Sequence, residues 1–110
     1  MNQEFYNILE VICEKDSRYK QDSYEFVMEA LAYSQKKFRR VKHVSGIELL
    51  EGMKELLLNK YGPMTLLVLH HWGVRSTEDF GRIVFNLALV GPLKDGQEKE
   101  IRLLLKIKSV

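Results

Sequence analysis

Apolar residues recur at helical spacing through most of this chain and then, near its C-terminal end, switch to strict alternation. That change of period limits the folds available, because a helix buries one stripe and a strand buries every second residue. Phe5, Ile8, Leu9 and Ile12 form the first stripe, predicting a helix over Asn2–Glu14. Lys15–Gln21 is polar and reads as a loop. Asp22 or Ser23 then caps a second helix that turns Phe26, Val27, Ala30, Leu31 and Phe38 inward. Five of the seven residues Lys36–Lys42 are Lys or Arg, and the run passes through His43-Val44 as a short strand or an extended loop. Ser45 with Glu48 makes a capping box for a third helix, whose inward stripe is Ile47, Leu50, Met53 or Lys54, Leu57 and Tyr61.

Gly62 stops that helix, since only glycine enters the left-handed region without a steric cost. Pro63 suits the first turn of a short helix that Leu66, Leu67, Val68 and Leu69 make apolar on most sides, so this helix is expected to be buried. Ser76 and Asp79 repeat the capping pattern ahead of Phe80, Ile83, Val84, Leu87 and Ala88, and Gly91-Pro92 ends the run. In Ile101–Lys108 every odd position is apolar, while Arg102, Lys106 and Lys108 take three of the four even ones. That is a strand, and Asp95-Gly96 before it favours a hairpin. The expected fold class is α+β: one domain over residues 1–110, mainly helical with about five helices and a small C-terminal β-hairpin. From Phe80 to Ile107 the order of elements resembles the second helix and wing of a winged-helix domain, in which Thr77, Glu78, Asp79, Arg82 and Asn86 would face nucleic acid.

Composition removes several classes of function. A chain of 110 residues can bury a core without staples. Its net charge of +2 names no partner. Cys13 is the only cysteine, which excludes an intrachain disulfide and a cysteine-only metal site, and a reducing, cytoplasmic setting is expected. Met1–Glu10 carries acids where a signal peptide needs an apolar run, and Leu66–Leu69 is too short to span a bilayer, so no membrane partner is expected. There is no GxGxxG or phosphate-binding loop, and no cofactor is expected. His70 and His71 are adjacent and point about 100° apart on a helix, which defeats the usual paired-ligand geometry. His43 and Cys13 join them only through the fold. Glu48, Glu51 and Glu55 read as a solvated face rather than paired catalytic carboxylates.

A set of short words resembles a small bacterial family of unknown function, best known from planctomycetes and verrucomicrobia. They are Tyr24-Glu25-Phe26-Val27, Ala30-Leu31-Ala32-Tyr33, His43-Val44-Ser45-Gly46, Glu48-Leu49-Leu50-Glu51-Gly52, Tyr61-Gly62-Pro63-Met64 and Trp72-Gly73-Val74-Arg75-Ser76-Thr77-Glu78-Asp79-Phe80-Gly81, followed by Ile83-Val84-Phe85-Asn86-Leu87. The resemblance covers about residues 24–93 and implies no activity, cofactor or ligand. Members of that family end in an acidic, aromatic tail, from which Ile101–Lys108 departs.

With no catalytic constellation in view, the expected function is that of a small non-enzymatic binding or adaptor domain acting through its surface. Its partner would be another protein or a second copy, with the strand edge at Ile101–Lys108 available for pairing. The alternative is nucleic-acid binding through Lys36, Lys37, Arg39, Arg40 and Lys42, joined by Arg102, Lys106 and Lys108.

Overall fold

The computed structural model describes residues 3–90. They form α1 (Gln3–Lys15), α2 (Gln21–Lys37), α3 (Gly46–Tyr61), α4 (Thr65–Trp72) and α5 (Thr77–Val90), with a single 3-10 turn, Gly62–Met64, between α3 and α4. That turn leaves no loop residue between its neighbours, so the helices make four rods, the third broken at Gly62-Pro63.

The α+β expectation, with about five helices and a hairpin, is corrected here. The described residues are 81% helical and contain no strand. The reason is that the helical stripes close over one another: Leu9, Tyr24, Ala30, Ile83 and Leu87 are fully buried between helices, with no sheet needed to cover them. Lys36–Val44 is a helix end followed by a loop. Both the hairpin around Asp95-Gly96 and the strand Ile101–Lys108 lie outside the described residues, and so does the wing of the winged-helix comparison.

α2 is the central rod and packs against each of the other four helices. It buries Ser23, Tyr24, Phe26, Val27, Ala30 and Ser34. No side chain caps its start; Ser23, expected as a cap, is buried and donates its hydroxyl to the Lys20 carbonyl at 2.7 Å. The capping box of α3 forms as the sequence specifies, with the Ser45 and Glu48 side chains each accepting from the other's backbone amide. The inward stripe of α3 is rotated from the expected one. Leu49, Gly52, Met53 and Leu56 are buried, whereas Ile47 faces out. Gly52 sets this rotation, because a Cβ there would stand 1.8 Å from Ser34 Oγ, and its absence lets α2 and α3 approach closely.

The α1–α2 loop seats on the turn between α4 and α5. Gly73 caps α4 at φ 89°, and a Cβ on it would lie 2.2 Å from the Arg18 carbonyl oxygen. Beside it, the Lys20 amide donates to the Trp72 carbonyl at 3.1 Å. Two carboxylates hold the same loop from its flanks. Asp16 accepts from Arg18 Nε at 2.8 Å, from Arg18 Nη2 at 2.6 Å and from Asn86 of α5 at 3.1 Å. Asp79 accepts the Tyr19 hydroxyl at 2.5 Å and the amides of Arg75 and Ser76 at 2.8 and 3.1 Å. The Arg18 guanidinium holds the Asp16 carboxyl well below the usual carboxylate range, while burial pushes the Tyr24 hydroxyl beside Asn86 up to about 12.

Gly73→Ala combines a left-handed backbone with a carbonyl clash and should cost about 3 kcal/mol in a urea titration. Gly62→Ala, at φ 47° but in open space, should cost only about 1 kcal/mol. Because the carboxyl of Asp16 is depressed in the folded state, its contribution is complete above its unfolded value near pH 4 and is lost as pH falls through the folded value. Asp16→Asn should therefore lower the urea midpoint at neutral pH and flatten its fall between about pH 5 and pH 2. A wild-type acid limb preserved in the variant would contradict this.

Candidate functional site

The basic segment begins in the last turn of α2. Phe38 is the C-cap, and Arg39 follows in the left-handed region at φ 56°. The Arg40 amide donates to the Gln35 carbonyl at 2.8 Å and the Arg39 amide to that of Lys36 at 3.4 Å. This is a Schellman ending with arginine where glycine usually sits. The loop then folds back, its Lys42 carbonyl accepting from Gln35 Nε2 at 2.5 Å.

The run of cations is divided in two by its partners. Lys37 pairs with Glu55 at 2.6 Å, and Arg40 pairs with Glu48 at 2.7 Å while a second bond from Nε strengthens the contact. Tyr33 also donates its hydroxyl to Glu55. These bonds lower the carboxyls of Glu48 and Glu55 from their ordinary range, the first through Arg40 and the second through Lys37. Lys36, Arg39 and Lys42 are exposed and make no ion pair among the described residues. Arg102, Lys106 and Lys108 lie outside the described residues.

Glu48 and Glu55 thus serve the α2–α3 contact rather than a bare solvated face. Four of the five α5 residues expected to face nucleic acid are likewise occupied within the fold, and the fifth, Thr77, is exposed at the start of the helix. Glu78 and Asp79 both pair with Arg82, and Asn86 donates to Asp16 and Tyr24. His43 lies in the α2–α3 loop, whereas His70 and His71 end α4; among the described residues no three of His, Cys, Asp and Glu converge to hold a metal ion. Cys13 is half-buried with its thiol 3.8 Å from the Tyr19 carbonyl. Burial, with Asp16 second, pushes that thiol up and disfavours the thiolate a nucleophile needs.

α4 differs most from expectation. The sequence predicts a buried helix, yet Trp72 is its only buried residue, and Leu66 and Leu67 are 68% and 62% exposed. Met64 and Leu58 beside it are 54% and 53% exposed. Trp72 explains the orientation. Its ring packs against Phe26 and Tyr61 at centroid distances of 5.3 and 5.8 Å, which fixes the face that turns inward. Val68 and Leu69, four and three residues earlier, share that face, and Leu66 and Leu67 are carried outward. The signal available in the sequence was length: eight residues are about two turns, too few to bury every side.

Two clefts flank this ridge. The first, about 510 Å³, lies between α2 and α4, with Phe26 and Trp72 as its floor and Asp22, Glu25 and Glu29 along its α2 rim. Lys60, Tyr61, Leu67, Val68 and His71 complete it. The second, about 400 Å³, is bounded by α3, α4 and the start of α5, and its lining includes Leu50, Met53, Leu57, Leu58, Leu69 and Phe80. Its wall is mainly apolar, with Lys54, Thr65 and Thr77 as the polar members. No helix among the described residues is long and apolar enough to cross a membrane.

No protein-family model, curated protein or solved structure matches the chain.

Proposed function

We propose that this protein is a non-enzymatic binding module that docks another polypeptide on the ridge formed by α4 and the end of α3. The observation that carries this reading is the exposure of Leu66 and Leu67 in α4, with Met64 just before that helix and Leu58 in the last turn of α3 exposed as well. Contiguous apolar side chains rimmed by polar ones are a recurrent mark of contact surfaces. Covering one leucine fully is worth about 1.5–3 kcal/mol, so two or three of them supply the apolar centre of a contact. The clefts on the two sides of the ridge, one acid-rimmed over an aromatic floor and one mainly apolar, give a partner somewhere to insert side chains.

A photoreactive residue at position 67, in cells of the source organism, should give a discrete crosslinked polypeptide, while the same probe at exposed Glu14 of α1 should not. Leu66→Asp should reduce that product yet leave the thermal midpoint nearly unchanged, because the side chain is already exposed. Absence of a product from positions 66 and 67 alike would refute the reading.

The second reading, nucleic-acid binding by the α2–α3 loop, is favoured by Arg39. A left-handed arginine costs about 1–2 kcal/mol where glycine would cost little, and strain of this kind is characteristic of functional positions. Lys36, Arg39 and Lys42 then form the contact set, since Lys37 and Arg40 are committed to α3. Arg39→Gly separates strain from charge. It should stabilise the fold by about 1 kcal/mol and, if the charge is used, weaken retention of mixed RNA and DNA while reducing the salt slope by about one. Unchanged retention in low-salt gel shifts would dispose of this second reading.

A further inference from the structure

We propose that the cleft between α2 and α4 receives a lysine or arginine side chain of the docked polypeptide, with an adjoining apolar residue of that partner laid against Leu67. This inference rests on the reading of α4 as a docking ridge and specifies the chemistry of what docks there. The ridge and the cleft are continuous, because Leu67 and Val68 belong to both.

Charge selects the occupant. Asp22, Glu25 and Glu29 lie three and four residues apart on one face of α2, so all three reach the same rim. Glu29 has its cation: Lys60 Nζ stands 2.6 Å away and 5.7 Å from the centre of the Tyr61 ring. One end of the cleft therefore already holds an ammonium between a carboxylate and an aromatic face. Asp22 and Glu25 have no Lys or Arg partner among the described residues; Glu25 accepts a hydrogen bond from the Tyr6 hydroxyl, and its charge together with that bond pushes the hydroxyl up.

The floor decides between kinds of cation. Phe26 and Trp72 offer rings, and Leu67 and Val68 offer aliphatic surface, so a bare metal ion would find carboxylates on one side only. A long side chain with a charged tip matches both parts, its stem on the rings and its tip at the rim. The whole chain carries +2, so attraction of a basic segment must come from this local field rather than from net charge.

The test titrates the full chain with two fluorescent synthetic peptides, one of alternating leucine and lysine, the other with glutamate in place of lysine. The lysine peptide should bind about tenfold more tightly than the glutamate peptide. Asp22→Asn with Glu25→Gln should weaken it about five- to tenfold, as expected for two partly exposed carboxylates. Glu51→Gln, at an exposed carboxylate of α3 that does not line the cleft, should leave it unchanged. Equal binding of both peptides, with Leu67→Ser weakening each, overturns this inference while supporting the docking ridge. Binding of the lysine peptide that ignores the Asp22 and Glu25 changes, or falls equally with Glu51→Gln, overturns it as well. Failure of both peptides to bind overturns it too, and the crosslinking at position 67 then decides the docking ridge separately.

Discussion

The seating of the α1–α2 loop against Gly73 positions everything else. At that point two backbones meet closely enough that a single methyl would strike the Arg18 carbonyl, and no side chain can mediate the contact. Once it forms, Lys20 bonds Trp72 and α2 starts directly beneath the end of α4. Phe26 is thereby delivered to Trp72 and to Phe80, with ring centroids 5.3 and 6.2 Å apart. The aromatic floor of the α2–α4 cleft is thus a consequence of a backbone contact made elsewhere. Asp16 and Asp79 guard this contact from either side, each satisfied by donors from both the loop and α5 or its cap. A half-buried carboxylate that has gathered several donors is costly to leave half-satisfied, so the loop has little freedom to settle elsewhere.

The two long helices are aligned by charge as well as by shape. Glu29 with Lys60, Tyr33 with Glu55 and Arg40 with Glu48 descend α3 as they ascend α2, the order expected of an antiparallel hairpin. Such pairs are partly exposed and each adds little to stability. Their larger effect is on register, because Ser34 must meet Gly52 and a slipped hairpin would bring a side chain into that gap. The charge run after α2 is consequently not a free basic patch. Part of it closes the hairpin, and what is left for a partner is the smaller set around a strained Arg39.

Local chemistry made much of the helical part legible in the sequence. The capping box at Ser45, the stop at Gly62 and the stripe of α5 all depend on neighbours within a few residues, and they formed as their spacing dictates. What the sequence hid is long-range. Nothing near Glu48 or Glu55 announces Arg40 or Lys37 as partners across a hairpin. The rotation of α3 depends on Gly52 meeting Ser34, and Arg39 occupies a position at which a glycine would have marked the helix end. Asn86 reads as a polar surface residue until Asp16 and Tyr24, far earlier in the chain, are seen beside it.

The orientation of α4 turns the same reasoning toward function. Its inward face is taken by Val68, Leu69 and Trp72, and the break at Gly62-Pro63 sets it off from α3, so Leu66 and Leu67 have no described helix left to cover them. Polar residues at those two positions would keep Trp72 buried and the turn at Gly73 intact, because neither position packs against the core. The fold therefore does not require leucine there. Two exposed leucines on this helix, beside an acid-rimmed aromatic cleft, keep apolar surface in water at a standing cost in solubility. In the docking role proposed above, a partner that covers them would convert that cost into binding energy.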